Sequence, residues 1–237
     1  MSIFEFLEAI EEHLSELRKR MIVAFIGLIL AIFIAFFFAE PIMKYLCKPI
    51  GGIEALKAID ITENASSVFK VAALAGFILA LPLILYEVLA FIIPALRPDE
   101  KHRLLVFLPL LLGFFIFGVL FAFYILLPTA IPFLTGFMGI KTEIRPENYI
   151  SFVTGILFWI GVLFEMPIII YILTRLGVLT SGILLKNWRQ AIVICAVIAM
   201  VITPTVDPIN MLLLMIPLIA LFFLSILFSK FAETGRD

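Results

Sequence analysis

The sequence predicts an all-α protein that crosses a membrane six times, and three observations carry that prediction. Of its 237 residues 64% are hydrophobic and only 15% charged, and its mean hydropathy is +1.21, a composition that no water-soluble globule sustains. The apolar residues fall into runs near the roughly 20 residues that a helix needs to cross about 30 Å of hydrocarbon. Those runs are continuous, not alternating, which excludes a transmembrane β-barrel.

The first twenty residues carry Glu5, Glu8, Glu11, Glu12 and Glu16, the reverse of the basic flank of a cleaved signal, so this segment is expected to be retained. Ile3, Phe4, Leu7, Ile10, Leu14 and Leu17 recur at three- and four-residue steps. That spacing predicts an amphipathic helix lying in the membrane interface before the chain turns inward. The first span, Met21 to Ala39, has no charge. A long loop with Pro41, Pro49 and Gly51-Gly52 leads to the second span, Val71 to Leu96, which contains Pro82, Glu87 and Pro94. After the turn RPDEKHR comes the third, Leu104 to Leu127, and after KTEIRPEN the fourth, Tyr149 to Leu173, with Glu165 in its middle. The fifth, Gln190 to Ile202, and the sixth, Ile209 to Phe228, are joined by TPTVDP. The whole chain reads as one integral membrane domain: an interfacial segment 1–20, a membrane region 21–228 and a tail 229–237.

Lysine and arginine set the orientation. With a cytoplasmic amino terminus, the inside segments hold eleven of the seventeen basic residues and the outside segments six, so both termini are expected in the cytoplasm. The fifth span is the anomaly, because thirteen residues reach only about 20 Å as a helix. The sixth carries Pro217, which removes a backbone bond and bends helices. This end of the molecule is expected to thin the bilayer or to dock another subunit.

Intramembrane carboxylates are costly and usually functional. Glu165, in VLFEMPIII, has no basic residue within the ten positions preceding Arg175. It is either a protonated group hydrogen-bonded between helices or a polar point that lines a path or receives a ligand. Glu87, in LYEVLAF, lies nearer a helix end and is expected to snorkel toward the interface. Cys47 and Cys195 read as packing residues, and His13 and His102 are too scattered for a metal site. With a net charge of −1 and no basic face interleaved with aromatics, a nucleic-acid partner is set aside. No nucleophile triad, phosphate loop or dinucleotide fingerprint is present, so neither enzymatic activity nor a cofactor is expected.

HLSELRKR before the first span, FIIPALRPDE between the second and third, FEMP in the fourth and TPTVDP in the last hairpin stand in this order. Together they resemble the TatC family, the six-span receptor subunits of the twin-arginine protein translocase. The resemblance covers essentially the whole chain. It implies a non-enzymatic protein of the cytoplasmic (inner) membrane that binds the twin-arginine signal peptides of folded cargo. It further implies self-association, pairing with TatB-type and recruitment of TatA-type single-span subunits, and export driven by the proton motive force. By the same resemblance, signal recognition falls to Glu16, Arg18 and Arg20 in the amino-terminal segment and to Phe91, Leu96 and Glu100 around the first cytoplasmic loop. Glu165 corresponds to the family's intramembrane glutamate, Asp207 to the external aspartate of the last hairpin and Pro49 to a proline of the first external loop. Where the family often has two arginines after the loop glutamate, this chain has Lys101-His102 before Arg103.

Physical chemistry makes such recognition reasonable, because carboxylates receive planar guanidinium forks with paired bonds that lysine cannot reproduce. Glu16 and Glu100 are expected at one cytoplasmic surface, with Phe91 and Leu96 supplying apolar contact nearby. The plainer reading of Arg18-Lys19-Arg20 is an orienting anchor, and Glu16 can pair with Lys19 or Arg20 one helical turn on. The rival function is a secondary transporter binding a small solute at Glu165, which predicts a repeat symmetry between the halves that the sequence does not show.

Overall fold

The computed structural model describes residues 3–92, 98–136, 143–202 and 208–234. Their regular structure is helical, and an isolated bridge pairs Leu56 with Ile144. Five helical stretches are long and apolar enough to cross a membrane: Leu14–Phe36, Thr62–Phe91, Phe107–Pro132, Pro146–Arg175 and Met211–Thr234. A shorter apolar helix, Trp188–Ile202, completes the set among the described residues.

The chain divides into two compact units. The first comprises Met1–Ala39 and Ala72–Leu112. It holds α1 (Ile3–Phe36), the greater part of α3 (Thr62–Ile92) and the start of α4 (Pro98–Phe121). The expected turn near Arg20 is absent: the amphipathic opening and the first span form one uninterrupted helix. No proline falls within α1, so nothing in its backbone chemistry stops the helix at the change from polar to apolar residues. Two glycines let α1 and α3 approach closely. A Cβ at Gly76 would collide with the Ile32 backbone, and one at Gly27 with the tip of Leu83. Small residues at such crossings serve van der Waals packing, which lipid cannot replace.

The second unit comprises Glu40–Val71 and Gly113–Asp237. α2 (Ala39–Leu46) leads through 3-10 turns at Lys48–Ile50 and Ile53–Ala55 to the start of α3. Between those turns Gly51 and Gly52 have φ of 91° and 111°, a region costly for residues with a side chain. α3 begins at Thr62, nine residues before the expected Val71, because Asp60 and Glu63 form a reciprocal cap. The Thr62 N–H donates to Asp60 Oδ1 and the Asp60 N–H to Glu63 Oε1, both at 3.2 Å, which supports a polar first turn that hydropathy alone overlooks.

α4 passes through a π-helical turn, Ala122–Leu126, into α5 (Leu127–Gly136). The fourth span is bipartite, with α6 (Pro146–Phe164) and α7 (Met166–Arg175) meeting at Glu165. Pro167 has no N–H to continue the ladder, and the Glu165 N–H instead closes a tighter turn onto the Val162 carbonyl at 3.1 Å. α8 (Ser181–Lys186) precedes α9 (Trp188–Ile202) and α10 (Pro208–Thr234). α9 has 15 residues, about 22 Å, so it keeps the expected shortness. α10 is longer than expected, at 27 residues, and runs through Pro217 without a break.

The core of this unit contains Phe115, Leu127, Ile150, Ile160 and Ile168. Gly161 admits the Phe115 ring, and Gly118 admits Phe164. Polar rivets join α7 and α8 to α10. The Thr174 and Ser229 hydroxyls lie 2.9 Å apart, and Glu233 accepts the Ser181 N–H at 2.7 Å and its hydroxyl at 2.6 Å.

Candidate functional site

In the first unit, the amino-terminal part of α1 and the last turns of α3 bring three ionisable residues together. Glu16 and Arg20 lie four residues apart, hence on one face of α1. Glu16 Oε1 accepts from both Nε and Nη2 of Arg20, at 3.0 and 2.7 Å. Arg20 Nη1 donates to Glu87 Oε2 at 3.1 Å, across to α3. One guanidinium is thus held by two carboxylates on two helices, and the three groups sum to a formal charge of −1. The Glu87 side chain is 13% exposed and that of Arg20 26%, so water still reaches the cluster and weakens each pair.

Beside the cluster runs an apolar groove of about 690 Å³, bounded on α1 by Leu14, Leu17, Met21 and Phe25 and on α3 by Ile84 and Val88. Its α1 wall continues the three- and four-residue stripe of the amphipathic segment into the span. Arg18 is exposed at its edge, and Lys19 is exposed as well.

The structure therefore joins Glu16 and Arg20 directly and sets Arg18 beside them. Phe91 is half-buried in the last turn of α3. Leu96 lies outside the described residues, and Glu100 lies in the first turn of α4 with its side chain outside them. The expected meeting of Glu16 with Glu100 falls there too. The carboxylate that does meet the Glu16 cluster is Glu87, expected only to snorkel. Spacing cannot reveal that partner, because the contact joins residues 67 positions apart.

In the second unit Glu165 is 5% exposed, and neither carboxylate oxygen has a hydrogen-bond partner among the described residues. The interhelical bond considered for it is thus not formed among them. Pro49 is half-buried in the Lys48–Ile50 turn, and Asp207 lies outside the described residues.

Near that turn the sequence reading missed a polar network. Glu63, 1% exposed, accepts from Nε of Arg145 at 2.9 Å and also pairs with Nη2. This carboxylate holds the Arg145 guanidinium above its ordinary pKa. Glu147 accepts from Lys70 at 2.8 Å and from the Ser66 hydroxyl at 3.0 Å. Lys57 donates to Glu143 at 2.6 Å and keeps that carboxyl below the usual range. The Tyr149 hydroxyl donates to the Leu46 carbonyl at 2.8 Å. These bonds fasten the residues before α6 and the first turn of α6 to α3, to the end of α2 and to the loop between them.

A family model described as "Sec-independent protein translocase protein (TatC)" matches residues 12–217. A Sec-independent protein translocase protein TatC of Aquifex aeolicus is 37% identical over 237 residues, covering 95% of this chain and 96% of its own. The Carboxydothermus hydrogenoformans protein of that name is 33% identical over 225 residues, covering 94% and 93%. A crystal structure of the twin-arginine translocase receptor TatC superposes with a TM-score of 0.82 at 35% identity, covering 93% of this chain and 99% of that one.

Proposed function

The chain belongs to the TatC family of Sec-independent protein translocase proteins, a multi-pass membrane family, and from that membership we propose that it is the receptor and core subunit of a twin-arginine translocase. It binds the twin-arginine signal peptides of folded proteins and assembles TatB-type and TatA-type single-span subunits. Export is driven by the proton motive force across the cytoplasmic membrane, with both termini of the chain in the cytoplasm. The solute-transporter alternative finds no support in the relatives.

The observation that carries this reading is the grip of Glu16 on a guanidinium beside an apolar groove. A twin-arginine signal presents such a guanidinium followed by an apolar stretch, and the two features offer each part a surface of matching chemistry. Glu16, Arg18, Arg20, Phe91, Leu96 and Glu100 form the recognition surface. Glu165 is the polar point used within the membrane, and Pro49 and Asp207 belong to the external assembly surface. α9 exposes Val193, Val197, Met200 and Val201 on a helix too short for the bilayer, and we assign the single-span partners to it.

A signal peptide carrying a photo-crosslinker tests the receptor role in membranes. A charge-assisted bond is worth roughly 1.5–3 kcal/mol, so Glu16→Ala or Glu100→Ala lowers the affinity that drives labelling about ten- to a hundredfold. Unchanged labelling in both variants removes the carboxylates from recognition.

A further inference from the structure

We propose that Glu87 is the second carboxylate of the guanidinium seat and that Arg20 is its internal occupant, which an arginine of the signal peptide must replace. The inference rests on the receptor reading above and adds a residue and a competition to it.

Three donor contacts define the seat: Nε and Nη2 of Arg20 on Glu16, and Nη1 on Glu87. A pair within α1 alone would be an ordinary surface contact. Glu87 makes it a tertiary one, since it arrives from α3 and is the less exposed of the two acids, at 13% against 35%. The planar fork suits this arrangement because its donors diverge toward both helices at once, which the compact ammonium of lysine cannot match.

An incoming guanidinium therefore finds its acceptors engaged by a group of its own kind. Exchange of arginine for arginine conserves the hydrogen bonds, and the released Arg20, already partly exposed, passes to water. Exchange of arginine for lysine loses bonds. The preference of the seat for arginine over lysine is therefore set by its two carboxylates, and the internal occupant lowers the apparent affinity for both ligands by the same factor, the fraction of time the seat is empty.

The test uses the full chain in lipid nanodiscs, a fluorescent twin-arginine signal peptide and its twin-lysine counterpart, with anisotropy read at fixed ionic strength. Arg20→Gln is expected to tighten the twin-arginine peptide roughly three- to tenfold and the twin-lysine peptide by the same factor. Adding Glu87→Gln to that variant is expected to abolish the gain. Lys19→Gln, which removes a neighbouring charge outside the seat, reports general electrostatics and is expected to change affinity much less. Should Arg20→Gln fail to fold, Arg20→Lys is expected to give the same tightening in smaller measure.

The proposal is overturned if the folded Arg20 variants bind no tighter than wild type. It is also overturned if Lys19→Gln tightens equally, or if Glu87→Gln costs the Arg20→Gln variant nothing. A wild-type chain that shows no preference for twin-arginine over twin-lysine defeats the receptor reading, and this proposal with it. That preference without tightening in the Arg20 variants defeats the proposal alone.

Discussion

Glu165 is 5% exposed, and neither of its carboxylate oxygens has a partner among the described residues; a buried acceptor left in this state costs about 1–3 kcal/mol. Glu165→Met keeps the length and removes the polar atoms. We expect the variant to unfold at higher temperature in detergent and to export less, the pattern of a site kept for function at the expense of stability. A lower unfolding temperature would show that the carboxylate holds the fold together, and unchanged export would make it inert. Glu165 was legible in the sequence because a lone acid within an apolar run stands out. The Glu16–Arg20 pairing was legible from its four-residue spacing. Glu87 was legible as a residue but not as a partner, since only the packing of α1 on α3 selects which acid Arg20 reaches. The Glu63–Arg145 pair was hidden for the same reason, at a separation of 82 positions.

At the level of helices, the α1–α3 contact depends on two glycines that differ in what faces them. Gly76 meets the Ile32 backbone, which cannot move aside, whereas Gly27 meets the far end of the flexible Leu83 side chain. Gly76→Ala should therefore destabilise the protein by about 1–3 kcal/mol, the usual range for overpacking, and Gly27→Ala by clearly less. Thermal unfolding of both variants in the same detergent checks the order; equal effects would mean that the helices part easily at this crossing. Because Glu87 reaches Arg20 only through that contact, Gly76→Ala should also loosen the guanidinium seat. Helix existence was readable from hydropathy, while helix ends followed local chemistry that hydropathy ignores. The Asp60–Glu63 cap begins α3 early, Pro167 splits the fourth span at Glu165, and nothing interrupts α1 at Arg20.

For the molecule as a whole, the distribution of lysine and arginine leads us to propose that both termini lie in the cytoplasm. Single cysteines at Lys57 and Lys230, labelled with a membrane-impermeant maleimide, test it in intact cells or right-side-out vesicles. Both sites lie on exposed side chains, and the native Cys47 and Cys195 are buried. Lys57→Cys should react at once and Lys230→Cys only after permeabilisation; the opposite result would invert the protein and move the Glu16 cluster to the far side. The number of spans and the shortness of the fifth were readable along the chain, whereas the division into two units arises from contacts between residues distant in sequence. The unbroken course of α1 has a further consequence. From Glu16 to Gly27 is eleven residues of one helix, about 16 Å at 1.5 Å per residue. The helix is therefore a ruler whose zero mark is the point where Gly27 meets α3, and under the receptor role proposed above a cargo arginine caught at Glu16 would start its crossing from a fixed depth.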